Sequence, residues 1–209
     1  MTGQKTDRAD LRRVLSPHPE LWVALGEGKL LRKILEAFYA KVYADRRLIP
    51  FFANTTIEWA VDHQYAFMGQ IFSGQKMFFG DRPRNAHHWM VIDNELFDYR
   101  QSVMQKTLAE HGLTLAQREE WRSVEEAFRS HIVKDAPWPK KRGGVALPLK
   151  GFESVELSSG GMCDECQSEL PVGSRADYHV RSGHLYCGNC IEGARARDTL
   201  TPPPIQGAP

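Results

Sequence analysis

LRKILEAFYAKVYADRRLIPFFANTTIEWAVDHQYAFMGQIF, residues 31–72, holds two helical patterns separated by a break. In the first, Leu31, Ile34, Leu35, Phe38 and Val42 recur at three- and four-residue intervals and share one face. Asp45-Arg-Arg ends it, and Pro50, Asn54 and the Thr55-Thr56 pair mark a connection. Thr55 or Thr56 is placed to cap the next helix, with Glu58 in its first turn. In that second helix Ile57, Ala60, Val61, Gln64, Phe67, Met68, Ile71 and Phe72 share a face, and Ser73-Gly74 closes it.

The same reading extends outward. Residues 83–94 are short and irregular, with Pro83 and Asn85. A third helix carries Leu96, Phe97, Val103, Met104 and Leu108 and ends near His111-Gly112. Thr114 caps a fourth, with Trp121, Val124, Phe128 and Ile132 as its stripe. Residues 20–135 are therefore an all-α domain. Residues 1–19 are a flexible polar segment. The stretch 136–161, with three prolines and five glycines, reads as a linker. Residues 162–197 hold every cysteine, and 198–209 (with TPPPIQGAP at the end) read as a disordered tail.

Composition narrows the function. Of 209 residues 42% are hydrophobic, enough for a packed core, which excludes wholesale disorder. A formal net charge of +1 argues against a domain built to neutralise nucleic-acid phosphates. No apolar run is long enough to span a membrane, and the N-terminus MTGQKTDRADLRR lacks a signal-peptide core. The expectation is a soluble, cytoplasmic protein.

Three features of the helical domain carry chemistry. Gln64 stands where the stripe calls for an apolar side chain. A buried amide must find partners or cost roughly 1–3 kcal/mol. It is either a structural amide or a donor facing an apolar pocket. Tyr39 lies at the margin of the first stripe, and on pattern alone a rim tyrosine with its hydroxyl in water is the plainer reading. His87 and His88 are adjacent imidazoles, each a potential metal ligand or surface residue. Two neighbours cannot both bind one planar cofactor from one face, and spacing does not choose between them.

FYAKVYADRRLIPFF (38–52), HQYAFM (63–68), Ser73-Gly74, Gly80 and AHHWMVIDNELFD (86–98) together resemble the truncated haemoglobins, in the group-one layout. The resemblance covers about residues 20–135 and implies a shortened, two-on-two globin fold around haem b. His87 matches the proximal histidine, because Ile92 and Phe97 follow it at offsets of five and ten. Phe52 matches the phenylalanine on the haem face, Tyr39 the distal tyrosine and Gln64 the distal glutamine. Ala60 falls where many globins place a distal histidine or gate residue, so a distal-histidine mechanism is disfavoured. Phe67 and Met68 match pocket-wall positions. Ser73-Gly74 and Trp89-Met90 depart from the family pattern. His63 is either a propionate or iron partner or, the plainer reading, a solvated imidazole.

The implied activity is reversible binding of dioxygen, and of nitric oxide. Donors from Tyr39 and Gln64 would stabilise the charge that builds on dioxygen's outer atom. Two such bonds, at roughly 1–1.5 kcal/mol each, would slow release by about one to two decades. Conversion of nitric oxide to nitrate would need electrons. The chain has no Gly-rich dinucleotide motif, so a reductase would be a separate protein. The alternative is a gas sensor or adaptor read by a protein partner through the C-terminal module.

That module has Cys163-Asp-Glu-Cys166 and Cys187-Gly-Asn-Cys190, twenty residues apart. Two C-x-x-C turns supply four thiolates for one tetrahedral zinc ion. The pattern resembles a treble-clef or LIM-like zinc finger, with a hairpin between the pairs and a short helix after Cys190. A closed four-cysteine site is structural, not catalytic. Redox-active pairs and an iron–sulfur centre are the weaker alternatives. Gln167 and Ile191 stand where covalent haem attachment needs histidine. His179 and His184 are spare imidazoles. Arg175, Arg181, Arg195 and Arg197 add positive charge, a weak case for nucleic acid and no stronger than for a protein partner.

Overall fold

A computed structural model describes residues 15–52, 55–142, 145–146 and 148–200. These fall into two compact units. The described residues of Met1–Arg84 and Ile92–Asp135 form the first, and those of Asn85–Val91 and Ala136–Pro209 the second.

The first unit is helical. Helix α1 (Pro19–Ala24) opens with proline, whose fixed φ suits a first turn. A tight 3-10 turn, Gly26–Gly28, redirects the chain. Gly28 has φ +100, and a Cβ there would lie 2.3 Å from the Tyr65 hydroxyl, so only glycine fits. Helix α2 (Lys29–Ala44) buries Leu31, Ile34, Leu35, Phe38, Tyr39 and Val42, the expected stripe plus Tyr39. The Asp45 carboxylate then accepts from the Arg47 and Leu48 amides at 2.8 and 3.2 Å, which turns the chain into the 3-10 segment Ile49–Phe52.

Thr56 caps helix α3 (Ile57–Ser73) by accepting from the Trp59 amide at 3.2 Å, and Gly74 ends it in the left-handed conformation. A single turn, α4 (Pro83–Ala86), follows. Asp93 caps helix α5 (Asn94–Glu110), accepting from the Leu96 amide at 2.7 Å. Thr114 and Gln117 form a reciprocal capping box on helix α6 (Leu115–Glu126). The stripe expected to run through Ile132 is divided. The Phe128 amide bonds to Glu125, three residues back, which tightens the turn and leaves Arg129–Ile132 as a separate helix α7.

Helices α2, α3, α5 and α6 enclose one core, in which Phe38, Phe72, Met104, Leu108 and Trp121 are fully buried. Phe72 meets Trp121 with ring centroids 5.1 Å apart. Order begins before the expected boundary at residue 20. The His18 amide donates to Phe72 at 2.9 Å, and its Nδ1 lies 2.6 Å from Glu120. The rest of the expected flexible segment, residues 1–14, lies outside the described residues. No helix among the described residues is long and apolar enough to cross a membrane.

The second unit is built on short strands. Strands β1 (Lys141–Arg142) and β2 (Val145–Ala146) pair antiparallel. Strand β3 (Phe152–Glu156) lies antiparallel to β6 (Arg175–His179), in register from Phe152↔His179 to Glu156↔Arg175, and β6 pairs in turn with β7 (Leu185–Tyr186). Strands β4 (Gly161–Met162) and β5 (Glu169–Leu170) form a second small pair. Helix α8 (Ile191–Leu200) starts one residue after Cys190.

The hairpin and helix match expectation, but 136–161 is more than a linker. Phe152 packs on His179 and Tyr186 at 5.0 and 5.8 Å, and that apolar anchor makes a strand within a glycine- and proline-rich stretch. Helix α8 also runs past residue 197, the expected end of the module. The rest of the tail, 201–209, lies outside the described residues.

Candidate functional site

Tyr39 is buried on α2, against Phe38, Phe52 and Tyr43 at ring distances of 5.2, 5.7 and 6.5 Å. Its hydroxyl points inward, not to water as the pattern alone suggested. It donates to Gln64 Oε1 on α3 at 2.6 Å. Gln64 is thus an amide with a partner, at the one polar position of its apolar face.

A third side chain joins them. Arg100 on α5 brings Nη2 to 3.5 Å from the same Gln64 oxygen. Its guanidinium stacks over Phe38 at 4.7 Å and is ion-paired with Glu125 of α6, which is 7% exposed. Burial pushes the Tyr39 hydroxyl up to about 12, while Arg100 pulls it down and Glu125 pushes it up. Sequence reading missed Arg100 and Glu125. Their signal was present: Arg100 is three after Phe97 and four before Met104, and Glu125 is four after Trp121. Each puts a charge on an apolar stripe, and opposite charges on facing stripes are candidates for a buried pair.

Phe52 is half-buried and packs on Tyr43 at 5.3 Å as well as on Tyr39. Ala60 and Met68 are buried. Phe67 meets Phe78 at 5.1 Å and Phe128 at 5.4 Å. His63 is not a freely solvated imidazole. It stacks on Trp59 at 4.4 Å and meets Phe78 edge-on at 4.9 Å. A Cβ on Gly80 would lie 2.3 Å from the His63 ring, so glycine is needed there. Trp59, His63, Phe78, Phe67 and Phe128 form a half-buried run of rings along the helical unit.

The two adjacent histidines differ. His88 is buried, its Nδ1–H donates to the Asn85 carbonyl at 2.8 Å, and its own carbonyl accepts from the Trp138 amide at 2.9 Å. A carbonyl at Nδ1 fixes the tautomer and is also how ligating imidazoles are commonly oriented. His87 is half-buried, and its carbonyl accepts from the Met90 amide at 3.1 Å.

The family model described as bacterial-like globin matches residues 20–134. The chain belongs to the bacterial-like globin family. The match is one residue short of the expected domain. Among curated relatives, the group 1 truncated hemoglobin of Tetrahymena pyriformis is 29% identical over 113 residues, spanning 54% of this chain and 93% of the relative. Group 1 truncated hemoglobin GlbN of Nostoc is 24% identical over 94 residues, spanning 45% of this chain and 80% of the relative. The crystal structure of the Tetrahymena pyriformis truncated hemoglobin, Fe(III) form, superposes with a TM-score of 0.51 at 29% identity, covering 54% of this chain and 97% of that one. The globin family implies haem iron and haem-based gas binding.

The globin match leaves out the cysteines. Among the described residues Cys163, Cys166, Cys187 and Cys190 gather so that all four sulfurs lie within 4.8 Å of one another, as free thiols. Each pair sits on a tight turn. The Gln167 amide donates to the Cys163 carbonyl at 2.9 Å, and the Cys190 amide to the Cys187 carbonyl at 3.0 Å. Asp164 ties the turns together, because its carboxylate accepts from the Leu185 amide at 2.6 Å.

The spare imidazoles stand outside this cluster. His179 is buried, with Nδ1 2.8 Å from the Ser182 hydroxyl and Nε2 3.2 Å from Asp198. Three arginines of this unit have acidic or aromatic partners: Arg195 pairs with Asp177 and Glu192, Arg197 with Glu165, and Arg181 lies over Trp89.

Proposed function

We propose that residues 20–135 bind haem b, that His87 would hold its iron and Tyr39 and Gln64 would supply the polar groups for a bound gas, and that the domain reversibly binds dioxygen and nitric oxide. The observation that carries this reading is the Tyr39–Gln64 hydrogen bond, which joins a buried tyrosine to a half-buried amide among apolar and aromatic side chains. A core built only for stability gains more from apolar residues at those two positions. The residues present fit the group. The half-buried aromatic run from Trp59 to Phe128 is apolar surface of the kind a flat porphyrin covers. Phe52, Ala60, Phe67 and Met68 supply apolar walls.

Bound haem supplies an iron that takes a diatomic gas. The chain's own contribution is to grip the metal through an imidazole, exclude water with aromatic rings, and hold a hydrogen-bond donor where charge builds on the ligand. The choice of His87 over His88 rests on the Ile92 and Phe97 offsets. Nitric oxide removal as nitrate would draw electrons from a separate reductase.

The test is absorption spectroscopy of the full chain after haem reconstitution. A Soret band with distinct ferric, ferrous and oxygenated spectra is expected. A chain that takes up no haem overturns the reading.

We further propose that the four cysteines hold one zinc ion. Zinc–sulfur bonds of about 2.3 Å require sulfurs about 3.8 Å apart in a tetrahedron. The Cys166–Cys187 separation is 3.8 Å, and the whole cluster fits that scale. Zinc there organises a unit whose apolar clusters are small. Its presence beside a globin favours the second reading, in which a protein partner senses the haem state through this unit. Ligand-dependent capture of a partner, compared with nitric oxide turnover, separates that reading from the first.

A further inference from the structure

Arg100 and Glu125 have no part in the reading above, yet Arg100 reaches the Gln64 carboxamide and Glu125 is its ion-pair partner. That amide has an acceptor end and a donor end. Tyr39 can satisfy either, because its hydroxyl donates to an oxygen and accepts from an NH2. A guanidinium only donates. Arg100 sets Nη2 3.5 Å from the inner atom of the Gln64 amide, and it is held there by Glu125 and by stacking on Phe38. A reversed amide would press NH2 against a cation that offers no acceptor. The oxygen therefore faces inward, and Tyr39 commits its one proton to it at 2.6 Å. The NH2 is turned away from both.

The geometry points to Arg100, braced by Glu125, as a positioning residue that selects Gln64 over Tyr39 as the donor to a bound diatomic ligand. This rests on the haem reading. Without the guanidinium the amide can turn over. Its NH2 then donates to the Tyr39 oxygen, and the Tyr39 proton is released toward the ligand.

The test uses the full-length, haem-reconstituted protein. Oxygen dissociation is measured for Tyr39→Phe and Gln64→Leu, each in the natural background and in the paired background Arg100→Met with Glu125→Leu. The paired change strands no buried charge, so the fold survives where Arg100→Met alone would disrupt it. In the natural background Gln64→Leu should speed release about tenfold, the loss of one direct hydrogen bond. Tyr39→Phe, which acts through Gln64, should have a smaller effect. In the paired background that order reverses. A larger effect of Tyr39→Phe in the natural background, or the same order in both, overturns the assignment.

A second readout needs no haem. The 13C resonance of the Gln64 side-chain carbonyl reports the bonds its oxygen accepts. It should shift upfield in the paired background, and an unmoved resonance overturns the assignment. A wild-type chain without a Soret band sinks the haem reading separately, and the carbonyl resonance alone then upholds or overturns Arg100's hold on the amide.

Discussion

The Tyr39 hydroxyl on α2 donates to Gln64 Oε1 on α3 across 2.6 Å, a part-buried bond between two helices that are also joined at their exposed margin by the Arg32–Asp62 ion pair. Burial keeps the Tyr39 phenol in its neutral form inside the core. Tyr39 is held up to about 12, whereas an unfolded chain releases that proton near pH 10. Above about pH 10 the unfolded state binds fewer protons than the folded one. The Tyr39 contribution is therefore intact below pH 10 and is lost as pH rises through 12. Urea denaturation at pH 9.5 and 11.5 should show stability falling, with about 2–3 kcal/mol of the full loss due to this group. Tyr39→Phe should remove that share. Tyr43 is raised in the same direction by burial and leaves a residual slope.

His87→Ala should abolish stable haem uptake, and His88→Ala should retain it. The contrast is a real one, because His88 is the buried member of the pair with its Nδ1–H bonded to Asn85. Haem titration followed at the Soret band gives the result. Retention by His87→Ala and loss by His88→Ala would move the ligand by one residue and detach it from the Ile92 and Phe97 spacing.

The helices were legible because each carries its own boundary chemistry. Thr56, Thr114 and Gly74 announce ends that the structure keeps, and three- and four-residue stripes name the buried faces. Gln64 was legible as an apolar-face exception. Its partner was harder to see, because a tyrosine at a stripe's margin faces either way until another helix is set against it. Arg100 and Glu125 were legible only singly, each as a charge on its own helix's apolar stripe. The packing of α5 on α6 is what makes them a pair. Strand β3 was hidden by composition. Glycines and prolines around it read as linker, while its stability comes from Phe152 meeting residues about 30 positions away.

The cysteine unit should depend on metal and the globin domain should not. As purified, the chain should carry one zinc per molecule by elemental analysis. A strong chelator should abolish the strand signal and protease resistance of residues 152–200, while far-ultraviolet helical dichroism from residues 19–132 persists. Cys163→Ser should act in the same way, because Cys163 is the buried cysteine of the four and its sulfur also accepts the Cys187 amide at 3.4 Å. Metal-free protein with an unchanged second unit would end the zinc reading.

The Arg100–Glu125 pair makes a separate claim on stability. Its members are 24% and 7% exposed, so both charges are largely withdrawn from water. Removing one partner leaves the other buried and uncompensated, at a cost of about 3–5 kcal/mol. Replacing both with apolar side chains of similar size removes the desolvation penalty along with the attraction, and such exchanges are often neutral or stabilising. Chemical denaturation should therefore rank Arg100→Met well below wild type, and Arg100→Met with Glu125→Leu close to it. A double variant as unstable as the single one would mean that the guanidinium is needed for packing on Phe38, not for the charge it brings to the Gln64 amide.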